Sequence, residues 1–434
     1  MSLRQSTALA LLLLAVAGAR EFARNHTAAP DVSSTWEAGS NLLLAGLGPG
    51  WLRKPPIAQV AGAGSAVECT YYVSPSGSDS NNGSLSAPWR TLQRAFSGVG
   101  AGQIVCLMGG TYAIPSTLQS EGYSQILSNS GTSSGWITFT NYPGQVAIIN
   151  GATRIQASYA RFVGTPLNAP GLIFSGPMHQ NLGLIDVMYS HDITFDHVEI
   201  RDADYHAGIY LFKVSNIKLL GCYIHDNGRF NETSTAQGNL SSSVDQGVYF
   251  DSTSGGGNVI ANCVVYHNRA MGIQLYPSPA GVVVEENTIV DNDNYGMVIY
   301  GHRNVIVNNI FSNNGWYTNS SQFKVYEGTD HIIDSNILWS VNPLQRGYSE
   351  STHQPVTGSI IKDPCLAAVP TPPGNRTERG IAFWDRARLN FRVLAGSPAS
   401  GVSNISYMQP LDRLGLKSSG LLSRTSALTN TTAK

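Results

Sequence analysis

His225, Asp226, Asp245, His267 and Arg269 are the residues whose types and spacing could do chemistry. An imidazole accepts and returns protons near neutral pH, and a guanidinium steadies developing negative charge. Asp and Asn at turns usually serve local backbone bonding, the plain reading for Asp226, Asn227, Asn268 and Asn292. Turn chemistry does not ask for His225, His267 or Arg269. The stretch NCVVYHNRAMGIQLY, residues 262–276, shows the setting. A valine pair leads into the polar knot His267, Asn268 and Arg269, and apolar residues then resume in alternation with Gln274.

A repeat explains this brief break. Segments of one pattern begin at Ile193 (ITFDHVEI), Ile217 (IKLLGCYI), Val259 (VIANCVVY), Val282 (VVVEENTI), Val305 (VIVNNIF) and Ile332 (IIDSNIL). The offsets are 24, 42, 23, 23 and 27 residues, and the long one is a unit plus an insertion over residues 229–244. Second strands follow at Gly208, Gly247, Gly272 and Gly296. A short period of strands without helices predicts an all-β, single-stranded parallel β-helix. Leucine-rich repeats need a Leu and Asn pattern that is missing, and propeller blades are nearly twice as long. Val198, Cys222, Cys263, Asn287, Asn309 and Asn336 fall in one row, which predicts an inward asparagine ladder with two buried thiols as fillers.

The winding sets the neighbours of the reactive residues. Asp202, Asp226, His267, Asp291 and Asn313 form one turn row, preceded by Arg201, His225, Tyr266, Val290 and Ser312. In the second strands alternation points Ile209, Val248, Ile273 and Met297 inward, and Tyr210, Tyr249, Gln274 and Val298 outward. The next outward row is Phe212, Asp251, Tyr276 and Tyr300. Rings beside amides and carboxylates suit a sugar chain, against the plainer alternative of a solvated sheet face. The expected site is His225, Asp226, Asp245, His267 and Arg269, with Lys213 as a further candidate base. Tyr249, Asp251, Gln274 and Tyr276 line the expected groove, and His206 extends it.

Residues 71–112, YYVSPSGSDSNNGSLSAPWRTLQRA…AGQIVCLMGGTY, resemble the opening of secreted right-handed β-helix proteins of the pectate-lyase-like superfamily. So do GCYIHDNG, NCVVYHN, ENTIVDN and NNIFSNN, and the closing RLNFRVLAGSPASG. The resemblance covers residues 69–402 and implies a right-handed coil with an N-terminal capping helix. Leu92, Ala95, Phe96 and Val99 share one helical face within residues 89–99, which agrees with that cap. The superfamily includes lyases, hydrolases, epimerases and proteins without known activity, so fold alone does not choose.

β-Elimination on a uronic-acid polymer needs a base, for which His225 or Lys213 would serve, and a cation, either Arg269 or a bound Ca²⁺. Asp202, Asp226 and Asp245 are the residues available to hold calcium. Hydrolysis would use two of Asp226, Asp245 and Asp251. Epimerisation would return a proton. A non-catalytic carbohydrate-binding or surface-structural β-helix is the alternative outside enzymology. The DPHD-type epimerase motif and the paired-Asp pattern of polygalacturonases are absent, and the aspartate and lysine set of calcium-dependent pectate lyases is not convincingly present.

Composition sets the remaining expectations. The chain has 434 residues, of which 13% are charged, with net charge −1. That balance gives no electrostatic case for nucleic acid or an anionic membrane. Residues 1–19, with Arg4 before an apolar run and Ala17-Gly18-Ala19 after it, read as a signal peptide and predict secretion. Eight N-x-S/T sequons agree with a secreted glycoprotein: Asn25, Asn82, Asn231, Asn239, Asn319, Asn375, Asn404 and Asn430. Residues 20–68 read as a disordered leader and 403–434 as a loose tail. The expected partner is a polysaccharide, with no membrane span and a monomeric chain. Cys69 and Cys106 share one subdomain and are candidates to pair, which leaves Cys365 over.

Overall fold

Pleating sends alternate residues of a strand to opposite faces, so a coil with branched apolar residues at every second position buries one face. The computed structural model describes residues 68–113, 125–164, 171–176, 183–203, 206–228, 245–252, 256–315, 320–351, 354–368, 390–394 and 396–399. Successive coils pair in parallel into sheets of 11, 10 and 9 strands, here sheets 1, 2 and 3 in the order the chain visits them. Ser215–Leu220, Tyr223–His225 and Val248–Asp251 form one circuit. The all-β parallel β-helix read from the sequence is the fold. The signal-like residues, leader, tail, the 229–244 insertion and every sequon except Asn82 lie outside the described residues. Asn82 is exposed, and its Oδ1 accepts the Ser84 amide at 3.0 Å.

The stack starts earlier than the readable repeat, at Tyr71–Val73. Residues 104–113 supply two strands. Ile104–Leu107 joins sheet 1 and Gly110–Ala113 joins sheet 2. Gly110 makes the bend at φ 131°, a region closed to side-chain-bearing residues. Cys69 and Cys106 form a disulfide at the first strand pair.

The interior is built from rows of like residues. Phe139, Phe162 and Phe195 stack at 5.1 Å centroid spacings, and Leu219, Ile260, Val284, Ile306 and Ile333 continue their register. The helix Leu92–Gly98, capped at Thr91, buries Leu92, Ala95 and Phe96. Phe96 meets Phe139 edge-on at 5.0 Å. This helix lies beside Gln125–Leu127, the first strand of sheet 3. The Gln93 Oε1 accepts the Ile126 amide at 2.7 Å, and its Nε2 donates to the Ile126 carbonyl. One side chain thus satisfies both backbone groups of Ile126.

Each bend requires a left-handed residue, and polar ladders support the bends from inside. The Asn309 Nδ2 donates to the Val284 and Val307 carbonyls and to Asn336 Oδ1 at 2.8, 3.0 and 3.0 Å. Its Oδ1 accepts the amide and side chain of Asn287 at 3.0 and 2.9 Å. Asn287 accepts the Cys263 amide, and the Cys263 sulfur accepts the Cys222 amide, so the expected row is continuous. Burial, then the bond to Cys263, pushes the Cys222 thiol well up. A second ladder, not foreseen, runs Asn227, Asn268, Asn292, Asn314, Gln322. It explains the glycine that opens each second strand. A Cβ on Gly272 would lie 2.8 Å from the Asn292 amide nitrogen and 2.7 Å from the Gly296 carbonyl.

A third ladder ends at His331, whose Nδ1 accepts the Asn304 amide at 3.3 Å. Burial lowers the His331 pKa below 6.5, and the charge of nearby His302 adds to this, against opposing effects of the Glu327 backbone and Asp330. Neutral His331 is the acceptor the ladder needs. Its stabilisation is complete above 6.5 and is lost as pH falls through the lowered folded value.

Asn309→Ala should cost at least about 2 kcal/mol in urea unfolding, because several buried backbone and amide groups lose partners together. His331→Gln retains an acceptor, as Gln322 shows in the second ladder. That variant should flatten the acid limb of the stability profile, read as melting temperature between pH 7 and 5.

Candidate functional site

The polar knot sits at the bend from sheet 2 to sheet 3. Asp202, Asp226, His267, Asp291 and Asn313 share one row there with φ values of 63°, 56°, 53°, 54° and 53°. Asp, Asn and His are the side-chain-bearing residues that best tolerate this left-handed region, so the backbone does account for His267. The preceding residues Arg201, His225, Tyr266, Val290 and Ser312 are register neighbours in sheet 2.

His225 and His267 do not face an open trough as expected: both are 0% exposed. The His225 Nδ1 meets Asp226 Oδ2 at 2.7 Å, and its Nε2 meets Glu199 Oε1 at 3.1 Å. Both nitrogens are satisfied at once when both donate. Asp226 also bonds the His267 Nδ1, and Glu199 holds the Arg201 Nε at 2.8 Å. The His225 ring stacks on Tyr266 at 4.4 Å, and Phe391 closes over Tyr266 at 4.9 Å. A buried charge network therefore lies under the antiparallel pair Leu366–Ala368 and Asn390–Val393. Glu199 was missed because an isolated acid in a strand carries no signal until register sets it one coil before His225.

Asp245 and Arg269 lie at the edge of this network. The Asp245 Oδ1 accepts the His206 amide at 2.8 Å, and its Oδ2 is 3.9 Å from the Arg269 Nε. Among the described residues no three His, Cys, Asp or Glu side chains converge as a metal cage. Asp202 is held by Arg201 and Ser175, Asp226 by two imidazoles, and Asp245 by His206 and Arg269. A calcium cradle needs six to eight oxygen donors, and these three carboxylates, turned toward protein donors, do not fit one.

Past the bend, the outer face of sheet 3 carries the row Arg154, Asp186, Tyr210, Tyr249, Gln274 and Val298. Tyr210 and Gln274 point outward yet are only 4% exposed. Gln274 accepts a bond from Gln246 and is a packed residue rather than open groove lining. His206, half-buried, stacks on Tyr249 at 5.7 Å and meets Tyr210 edge-on at 6.1 Å. The Tyr210 hydroxyl donates to Asp251 Oδ2 at 2.5 Å. Burial raises the Tyr249 pKa, and the charges of Asp251 and Tyr276 add to this, so Tyr249 remains a proton donor across the working range. Lys213 does not join the knot. The six-residue strand Ala207–Phe212 separates it from His206, roughly 20 Å along an extended chain.

A family model for the Pel9A-like right-handed β-helix region matches residues 71–322. The chain belongs to that family. The expected right-handed superfamily is therefore the one found. The chain is 39% identical over 88 residues to the uncharacterized protein YwoF of Bacillus subtilis, and 38% identical over 80 residues to pectate lyase PEL9 of Emericella nidulans. These stretches are 20% and 18% of this chain, and span only 17% and 18% of those relatives. Among solved structures, pectate lyase Pel9A has 18% identity and a TM-score of 0.49, covering 76% of this chain and 90% of that one. A rhamnogalacturonan lyase has 17% identity and a TM-score of 0.49, covering 68% and 85%. No helix among the described residues is long and apolar enough to cross a membrane.

Replacing His225 by Leu should destabilise the protein by about 3 kcal/mol, because Glu199 and Asp226 would each lose a buried partner. Urea unfolding at pH 7 measures this. A loss below about 1 kcal/mol would show that the network is hydrated rather than closed.

Proposed function

We propose that this protein is a secreted lyase that cleaves a uronic-acid polysaccharide by β-elimination on the outer face of sheet 3. One observation carries the reading. His206, Tyr249 and Arg269 gather beside the bend, while the other histidines of the knot are enclosed. Family membership supports the choice of substrate class, as does the likeness to the Emericella pectate lyase. The Cys69–Cys106 disulfide supports an oxidising compartment outside the cytosol.

The roles follow from access. His225 has no path to a polymer, and Lys213 is at the far end of the strand, so His206 takes the C5 proton. The released electron pair forms the C4–C5 double bond, and the C4–O bond breaks. Tyr249, held in its protonated form, donates to the departing oxygen. Arg269 neutralises the uronate carboxylate while negative charge builds at C5. Asp245 bonds the His206 backbone and faces Arg269, and so sets the spacing between base and cation.

Burial of His225 and His267, together with a tyrosine-rich outer face, supports a second reading: a carbohydrate-binding protein without catalysis. Polygalacturonate, alginate and glucuronan distinguish the two, with unsaturated product followed by ultraviolet absorbance and reducing ends followed in parallel. Elimination should appear on at least one polymer, and His206→Ala should reduce it by about 10²- to 10⁴-fold with an unchanged melting temperature. Reducing ends without new absorbance would assign hydrolysis instead. Polymer binding with neither product would assign the binding protein.

A further inference from the structure

Lys213 follows the strand Ala207–Phe212, and Lys324 lies within Phe323–Val325 in register with Val298, yet both ammoniums meet rings of one outer row of sheet 3. The Lys213 ammonium lies 5.2 Å from the Phe212 ring centre and 5.7 Å from that of Tyr189. The Lys324 ammonium lies 3.7 Å from the centre of Tyr326. Phe212, Asp251, Tyr276, Tyr300 and Tyr326 succeed one another coil by coil. Four strand steps therefore separate the Phe212 and Tyr326 rings that the two cations meet, roughly 19 Å along the stack. Among the described residues neither lysine makes an ion pair.

Between them the surface is open and partly aromatic. Tyr276 is 40% exposed and stands nearly perpendicular to Tyr300. Tyr189, at the Lys213 end, is 64% exposed. Asp251, the carboxylate within this row, is occupied by the Tyr210 and Ser252 hydroxyls. Glu327 is the exposed acid beside Tyr326. A cation fixed on a ring face keeps its charge and leaves its remaining N–H donors outward. Two such cations on one line match a ligand with carboxylates at regular intervals.

We propose that Lys213 and Lys324, with Tyr276 between them, form a track that holds an acidic polysaccharide parallel to the stack axis, away from the reacting bond. The track rests on the polysaccharide reading given above and adds where the chain runs and which of its groups are recognised. Lys213 thereby takes a binding role in place of the catalytic one its sequence position suggested.

The test is affinity electrophoresis of the full chain through gels containing polygalacturonate or alginate, with neutral dextran as control. Lys213→Gln and Lys324→Gln should each weaken retardation by about two- to fivefold, and the double variant by about tenfold. Lys→Arg at either site should retain it, and added salt should shrink the differences. Thermal melts establish that each variant is folded. A double variant retarded like the parent would overturn the track and leave the lyase reading standing. Equal retardation of the parent by dextran would also overturn it. A parent that neither binds nor cleaves any of the acidic polymers would remove both proposals.

Discussion

A coil of this tube has no core of its own, so each bend must be satisfied by the coil next to it. The asparagine ladders meet that requirement. Asn309 saturates its amide between the coils above and below it and leaves no buried lone pair or N–H without a partner. A buried amide of this kind is stabilising only while every member of its row is present. The ladders thus convert a repeating sequence into a single register, and every surface row, including the site, inherits that register.

The candidate site depends on this inheritance. Glu199, His225 and Tyr266 are distant in sequence, yet strand pairing places them on one face of sheet 2. The result is an enclosed charge network beside a more open face. The enclosed part ties neighbouring coils together through Glu199, His225, Asp226 and His267, and the more open part carries His206 and Tyr249. His206 belongs to the second set because its strand begins after the bend, where the backbone has turned to sheet 3.

The repeat was legible in the sequence because strand period and bend chemistry both recur from residue 191 onward. The asparagine row and the facing of the second strands followed from alternation alone. The first coils were legible from the resemblance of residues 71–112 and not from the repeat, since Phe139 and Phe162 stack like later coil residues but their bends lack the asparagine signature. Burial was the main loss. Alternation shows that Tyr210, Gln274 and His225 point outward, but it does not show what covers an outward residue. For His225 the cover is Tyr266 and, behind it, Phe391, more than a hundred residues later. Lys213 stands apart from the knot because neighbouring coils bring matching strand positions together but leave the two ends of Ala207–Phe212 a full strand length apart.

Gln93 covers the edge of sheet 3 at Gln125–Leu127, its first strand among the described residues. A sheet's outermost strand ordinarily offers its amides and carbonyls to any extended chain that passes. Here the Gln93 amide already occupies both groups of Ile126, and a helix, which cannot itself extend a sheet, fills the space alongside. An incoming strand would have to displace a bonded side chain and a packed phenylalanine together. Strand addition at Ile126 would therefore have to break these bonds first.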